Sequence, residues 1–412
     1  MSQPTPADLA TRVRDGDLRF HELEDHADAD AATAARRLLV AEATDADLDP
    51  LGEYAFDAEA VHGSNIENTL GGVQVPVGVA GPVTVDGGAE SAERYLPLAT
   101  TEGALVASIN RGCSAIEAGG GATARVTKSG MTRAPVFRVA DVAEAEALVA
   151  WVRDNEPALA EAAESTTSHG ELLDVTPYVV GNNVFLRFRY DTKDAMGMNM
   201  ATIATREACD VVEAETDASL VALSGNLCSD KKPAAINAVE GRGRSVVADA
   251  TIPREVVEDR LRTTPEAVAE LNTRKNLVGS AKAGALGFNA HVANAVAAMF
   301  LATGQDEAQV VEGANAITTA EVRGEAADGD GDLYLSVSLA SLEVGTVGGG
   351  TKLPTQAEAL DVLGIRGGGD PPASNPAAFA AYVAAGALPG ELSLLSAPPP
   401  RHLSTAHAEL GP

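Results

Sequence analysis

The sequence predicts a mixed α/β fold of the α+β kind, in which a small unit with its own core interrupts a larger helical and mixed one. Three observations carry this. First, residues 134–224 alternate strand and helix patterns: a strand near Val136–Val139, a helix over Val142–Asp154, strands near Leu172–Tyr178 and Val184–Tyr190, and a second helix over about Ala201–Leu223. The Val184 strand puts Val184, Leu186, Phe188 and Tyr190 on one face at a period of two. This β-α-β-β-α order fits a ferredoxin-like, split β-α-β unit. Second, apolar stripes at helical spacing stand on either side of it: Leu105, Ile109, Cys113 and Ile116 before, and Val292, Val296, Met299 and Phe300 after. Third, no GxGxxG follows a strand, which removes a Rossmann domain. At 412 residues and 45% hydrophobic content, the chain is long and apolar enough for more than one core. The domains read as an N-terminal helical region over 1–66, a large domain over 67–133 and 225–412, and the small domain over 134–224.

Residues 1–50 are acidic and helix-prone. Ala31–Thr44 fits an amphipathic helix with Ala31, Ala34, Ala35, Leu38 and Ala41 on its apolar face. His21 and His26 stand among acids upstream and read as solvated surface. Gly71–Pro82, rich in Gly, Val and Pro, reads as extended segments and turns. Thr100–Gly103 opens the next helix, which places Glu102 in its first turn, where the macrodipole favours the ionised form and desolvation opposes it. Gly119, Gly120 and Gly121 end that helix. In the small domain, Asp194–Met200 crowds three of the chain's six methionines into one turn. Gly197 permits close backbone approach there, and the helix N-terminus beyond it suits an anion.

The stretch around which the chain is organised is Val221–Pro253. The sequence has only seven lysines, and two of them, Lys231 and Lys232, stand side by side next to Asp230 in a mostly uncharged, glycine-bounded stretch. An ammonium is a compact charge with three donors, suited to an oxyanion or a carboxylate. Pro233 stiffens the loop and biases Lys232 away from helix. Farther on, Gly287–Thr303 reads as a helix with His291 and Asn294 opposite its apolar face. Gly304 stops it, and Asp306 stands where it caps the next helix. Gly345–Lys352 is a glycine-rich loop, and the proline-rich tail Ala397–Pro412 carries His407.

Net charge is −29 and aromatics are only 4%. The charge argues against nucleic acid or an anionic membrane as partner. Cys113, Cys209 and Cys228 are odd in number and lack paired spacing, so neither a disulfide framework nor a zinc site is expected, and Cys228 reads as a small hydrophobe. The N-terminus lacks the apolar core of a signal peptide, and no uninterrupted apolar run reaches about 18 residues, so a soluble protein of a reducing cytoplasm is expected.

These stretches together resemble the 3-hydroxy-3-methylglutaryl-CoA (HMG-CoA) reductase family. SGNLCSDKKPAAINAVEGRGRSVVADATIP is similar to that family's signature. ENTLGGVQVPVGVAGP (Glu67–Pro82), TTEGALVASINRGCSAI (Thr100–Ile116), DAMGMNMA (Asp194–Ala201), GFNAHVANAV (Gly287–Val296), GQDEAQ (Gly304–Gln309), GTVGGGT (Gly345–Thr351) and His407 match in the family's order. Such an ordered set, running from about residue 50 to the C-terminus, is far more specific than any one piece.

The resemblance implies a substrate and CoA-binding large domain, a nicotinamide-binding small domain, and four-electron reduction of HMG-CoA to mevalonate and CoA by two NADPH, without a metal. It implies a catalytic set of Glu102 as acid/base, Lys231 as oxyanion stabiliser, Asp306 as the buried carboxylate linking the two, and His407 as proton donor to the CoA thiolate. Arg133, Ser224, Asp230, Lys232 and Lys275 are the implied clamp for the hydroxymethylglutaryl end, Asn294 positions lysine or substrate, and Asn110 and Arg111 lie near CoA or nucleotide. Asp194, Met196, Gly197, Met198 and Asn199, with Thr167, Gly348 and Gly349, are the implied cofactor contacts. Two departures stand out: Ser168 where many relatives carry an arginine for the NADP 2′-phosphate, and Ser114 where some have arginine. The chain has no serine after His407, so no phosphorylation switch is expected there. A homodimer or tetramer with interfacial active sites is implied by the Glu67–Pro82 segment. An NAD-dependent oxidative direction, for which Ser168 leaves room, and an inactive CoA-binding scaffold are the competing readings.

The acidic, lysine-poor composition suggests a high-salt cytoplasm. At molar salt the Debye length falls to about 3 Å and self-repulsion is screened. Dialysis to millimolar salt is expected to abolish activity and the helical circular dichroism signal; unchanged signals would refute a salt requirement.

Overall fold

The structure, a computed structural model, describes residues 4–88, 91–324 and 331–397. His407 and the rest of the tail after Ala397 lie outside the described residues.

Helix α1 (Pro6–Arg14) opens with a capping box, in which the Thr5 hydroxyl accepts from the Asp8 N–H and the Asp8 carboxylate accepts from the Thr5 N–H. Helix α2 (Ala29–Thr44) packs on it, capped by Asp28. Its face is turned from the one the sequence suggested: Ala29, Ala32, Thr33, Ala35 and Arg36 are buried, and Leu38 is 41% exposed. The reason is Arg36, which is fully buried, pairs with Glu24 and donates to the Phe20 carbonyl oxygen. An alanine-rich helix offers little apolar contrast, so the buried charge pair sets the rotation.

Strands β1 (Val77–Asp86) and β2 (Ser91–Ala99) form an antiparallel pair. Helix α3 (Leu105–Ala118) follows, with Leu105, Ile109, Cys113 and Ile116 buried as the spacing required. Strand β3 (Ala122–Arg133) is shared between the two cores. It starts parallel to the end of β1, pairs along its length with the later β8, and its last residues, Met131–Arg133, pair with the small domain's central strand.

The small unit runs β4 (Val136–Arg138), α4 (Val142–Asp154), α5 (Glu156–Glu164), β5 (Glu171–Val180), β6 (Asn183–Asp191), α6 (Met198–Glu215) and β7 (Ser219–Ala222). Its strands are antiparallel in the order β7-β4-β6-β5. Val184, Leu186, Phe188 and Tyr190 all face the core. Two expectations are corrected. The second helix stops at Glu215 rather than near Leu223, because the chain turns extended at Thr216 and Ser219–Ala222 joins β4 as an edge strand. The order is therefore β-α-α-β-β-α-β, with α5 also unforeseen. Four residues are too few for a period of two to be told from a helical stripe.

The chain then returns to the large domain through β8 (Gly243–Ile252), α7 (Val292–Thr303), β9 (Ala316–Arg323), β10 (Asp332–Leu342), α8 (Pro354–Val362) and α9 (Ser374–Leu395). The large sheet runs β2-β1-β3-β8-β10-β9. Helix α7 begins at Val292 rather than Gly287, with Val292, Val296, Met299 and Phe300 buried. The sequence reading missed α9 altogether, a 22-residue helix buried almost throughout and packed on α3, α7 and the sheet. Gly386, Pro389 and Gly390 interrupt its sequence pattern. It is the one described helix long and apolar enough to cross a membrane by length and composition, and 89% of its apolar window is buried in the protein.

The α3–α9 crossing is tight: a Cβ at Gly112 would lie 2.0 Å from the Pro389 carbonyl oxygen. That oxygen belongs to rigid backbone and cannot step aside. Gly112→Ala is expected to destabilise the fold by about 3 kcal/mol; urea denaturation in molar salt measures this, and a loss below about 1 kcal/mol would show that the crossing yields.

Candidate active site

The lysine loop between β7 and β8 is held in a conformation that its sequence alone disfavours. Asn226, Ser229 and Lys231 have φ of 63°, 49° and 58°. Left-handed backbone at a non-glycine residue costs about 1–3 kcal/mol and persists where the surroundings over-determine it. The surroundings here are charged and buried. The Lys231 N–H donates to Glu312 Oε1, and Asn237 Nδ2 donates to Glu312 Oε2 at 3.0 Å and to the Ser229 carbonyl at 3.1 Å. Arg242, at the head of β8, lies between them with no exposed side chain. It pairs with Asp230 Oδ1 at 3.0 Å, Glu312 Oε2 at 3.1 Å and Glu343 Oε1 at 3.4 Å, and donates to Met198 Sδ at 2.8 Å.

This cluster splits its acids electrostatically. Burial pushes Glu343 well above the ordinary carboxyl range, and the Glu312 carboxylate facing it adds to the push. Burial also opposes ionisation of Asp230, but Arg242, the Gln309 amide and Lys231 prevail and hold it below the usual range. One guanidinium is thus faced by three acids, of which Glu343 is pushed toward its neutral form, which moderates the charge buried.

The Lys231 ammonium points out of this base to Asp306, Nζ to Oδ2 2.7 Å. Its side chain is 45% exposed and that of Asp306 30%. The hydrogen bond to Asp306 raises the lysine pKa against partial desolvation, so the group stays cationic, a state that suits electrostatic stabilisation rather than base chemistry. Asp306 also accepts from the Ala308 N–H as the cap of a short 3-10 helix over Glu307–Gln309, so the capping and lysine-binding readings both hold. It is half-buried rather than buried, and among the described residues it is not bonded to Glu102.

Glu102 is corrected too. It precedes α3 instead of standing in its first turn, because Ala104 takes φ 67° and the helix starts at Leu105. Glu102 is exposed, donates its N–H to the Thr100 hydroxyl, and accepts from Asn294 Nδ2 at 3.2 Å. Asn294 in turn is fixed through the start of α7. The Ala290 and His291 N–H groups donate to Glu391, a fully buried carboxylate in α9 that also accepts from Thr318.

The remaining expected residues fall as follows. Arg133, at the end of β3, donates to Thr202 Oγ1 on α6. Its charge, with that of Arg242, also favours the Cys228 thiolate against burial. Cys228 is buried beside Ser224 Oγ, 3.5 Å away. Lys232 is exposed and donates to the Asp230 carbonyl. Lys275 lies on a π-helical stretch, Asn272–Gly279. Asn110 accepts from the Gly81 N–H, and Arg111 is tied to Ser393 in α9. Both thus have partners inside the chain.

The Asp194–Asn199 turn meets the glycine loop. Asp194 accepts from the Gly369 and Ala373 N–H groups, its carbonyl accepts from the Thr346 N–H, and Ala195 bridges Val347. A Cβ at Gly345 would lie 2.4 Å from the Met196 nitrogen, so glycine is required for this approach. Gly348 and Gly349 have φ of 81° and 52°, and a Cβ on either would meet nothing within 4 Å. Gly197 leads into α6 without a side-chain cap, and Thr167 donates to Met200 Sδ, bringing the Ser165–His169 segment to the first turn of α6. An open glycine face beside an uncapped, 18-residue helix is a fit for the phosphates of a dinucleotide. Among the described residues no group of three or more His, Cys, Asp or Glu is placed to hold a metal.

The family model described as hydroxymethylglutaryl-coenzyme A reductase matches residues 32–412. The chain belongs to the HMG-CoA reductase family. It is 77% identical to the 3-hydroxy-3-methylglutaryl-coenzyme A reductase of Haloferax volcanii, over 98% of this chain and 99% of that protein. It is 69% identical to the Halobacterium salinarum protein of that name over 98% of each, and 51% to the Pyrococcus abyssi one over 98% and 99%. Among solved structures, the class II HMG-CoA reductase of Streptococcus pneumoniae bound to NADPH matches with a TM-score of 0.64 at 21% identity, covering 80% of this chain and 86% of that one. That likeness is one of fold.

Reasoning from the sequence did not single out Arg242, Glu312, Glu343 or Glu391 in this reductase. Their signal was present: Glu312 follows Val310 and Val311, Glu343 stands between Leu342 and Val344, and Glu391 between Gly390 and Leu392. A lone charge in an apolar run is buried with partners or not buried at all.

Glu343 gives a pH prediction. Its folded pKa is raised, so between the ordinary glutamate pKa and the raised one the native state holds a proton that the unfolded state lacks. Stability from this group falls as pH rises through that window, by up to about 1.4 kcal/mol per pH unit. Glu343→Gln removes the slope, so in molar salt the variant should gain stability relative to wild type from pH 5 to pH 8. A constant gap in urea midpoints would refute the protonated state.

Proposed function

We propose that this chain reduces HMG-CoA to mevalonate and CoA with two NADPH per turnover, in the mevalonate route to isoprenoid lipids. It works in the cytoplasm in solution, as a homodimer or tetramer with the active site between subunits. The observation that carries the reading is the Lys231 ammonium, held at 2.7 Å by Asp306 on a loop with strained backbone. In this reading Lys231 stabilises the oxyanion formed first at the thioester carbonyl and then at the aldehyde. His407 gives a proton to the departing CoA thiolate. Glu102 gives one to the final alkoxide. Arg133, Ser224, Asp230, Lys232 and Lys275 orient the hydroxymethylglutaryl group, and Asn294 orients Glu102. Asn110 and Arg111 lie on the CoA side. Residues 134–224 are the cofactor domain; Asp194, Met196, Gly197, Met198, Asn199, Thr167, Gly348 and Gly349 hold NADPH, which supplies the hydride when bound.

Two features support an interfacial site. Glu102 is exposed in the single chain. The strand pair leading to it also exposes apolar side chains, Val77 at 61% and Val79 at 55%, with Val77 opposite Ala99, and Val73 just before β1 is 83% exposed. A second copy seated there would bury both the strip and the carboxyl.

Cofactor absorbance in molar KCl tests the proposal. Two NADPH oxidised per CoA released is the expected result, with Lys231→Ala and Glu102→Gln each lowering kcat by about 10²–10³-fold. Turnover with NADH alone would assign the Ser168 site to NAD and favour the oxidative direction. No turnover by the folded protein would leave a CoA-binding scaffold.

A further inference from the structure

Arg242, Glu312 and Glu343, which with Asp230 form the charged cluster beneath the lysine loop, are not accounted for by the roles above. They come from four separate places in the chain: Asp230 from the loop, Arg242 from β8, Glu312 from a short helix, and Glu343 just after β10. Two of their contacts lead outward. One runs from Glu312 to the Lys231 backbone N–H. The other runs from Arg242 Nη2 to Met198 Sδ, the first residue of α6. Arg242 therefore touches, within one guanidinium, the base of the ammonium-bearing loop and the N-terminus of the helix beside the glycine loop. Met198 packs against the core of the small unit.

We propose that Arg242 and Glu312 are positioning residues that lock the Lys231 loop and the first turn of α6 into one rigid unit, fixing the ammonium relative to the nicotinamide-binding turn. This rests on the reading of Lys231 as oxyanion stabiliser. The physical basis is that buried ionic hydrogen bonds are directional and expensive to break on one side. A rotation of α6 against the loop strips Arg242 of a partner, so both move together or neither does. Glu312 enforces φ 58° at Lys231, and relaxation of that residue swings the side chain away from Asp306.

The experiment uses the full chain in molar KCl, with its seven lysines labelled by reductive ¹³C-methylation and the Lys231 signal assigned with Lys231→Arg. Glu312→Gln keeps the shape and an acceptor oxygen but removes the charge. It should shift the Lys231 resonance while leaving the resonance of distant Lys282 in place, and lower kcat by about tenfold to a hundredfold with NADPH KM within about twofold of wild type. Met198→Leu is the second variant. It conserves volume and removes only the sulfur acceptor, so it tests the coupling even where Glu312→Gln does not fold. It should also move the Lys231 resonance, although leucine at 198 never touches that side chain. An unmoved Lys231 signal in Met198→Leu overturns the coupling. An unmoved signal with unchanged kcat in folded Glu312→Gln overturns the positioning role. Should the wild type turn over no HMG-CoA, the functional reading falls, and the resonances, which need no turnover, still decide this inference.

Discussion

A guanidinium with no exposed surface, set among three carboxyl groups, is the constraint on which the centre of this protein depends. Burying ions is costly, and the cost is offset only when geometry satisfies them. Arg242 therefore acts as a fixed point. The loop carrying Lys231 must present Asp230, the short helix must present Glu312, and β10 must end with Glu343 directed inward. Packing alone tolerates adjustment of a few tenths of an ångström, whereas a charge pair at 3 Å does not. Left-handed backbone at three non-glycine positions of one loop, Asn226, Ser229 and Lys231, is stable here because these bonds leave the loop no cheaper conformation.

The same device recurs beneath the second candidate catalytic group. Helix α9 is apolar and buried, yet it carries Glu391 and Ser393 at its C-terminal end. Glu391 collects the N–H groups that precede α7 and so sets where Asn294 meets Glu102. Ser393 gathers Ser108 and Arg111 from α3. Gly112 permits the close helix crossing that brings these groups together. In both places a buried polar side chain, reached from distant sequence, orients an exposed one.

The surface follows a different logic. The chain carries a net charge of −29, and of its lysines Lys128, Lys193 and Lys231 are paired with carboxylates through their ammonium groups. Interior charges are specific and few; surface acids are many and interchangeable. Screening by salt acts strongly on the second kind and weakly on the first, because a buried pair is shielded from mobile ions. Removing salt is therefore expected to act on the surface acids more than on the buried Arg242 pairs.

How much of this was legible in sequence depends on the range of the cause. Local periodicity placed α3, α4 and β6 and the buried faces of α3 and β6. The ordered motifs placed the family, and the structure sets Lys231 beside Asp306 and Asn294 beside Glu102. Where local signals were short or mixed they failed: four residues of β7 passed for helix, and Gly386, Pro389 and Gly390 hid α9. Glu102 was set in a helix it only precedes, because one left-handed residue, Ala104, delays the start. The sequence by itself determined which groups can ionise and where the longer patterned elements α3, α4 and β6 lie, since those follow from side-chain chemistry and spacing. Only the tertiary structure decided which charges meet. Arg242 is 70 residues from Glu312 and 101 from Glu343, and no local pattern encodes a contact over that distance.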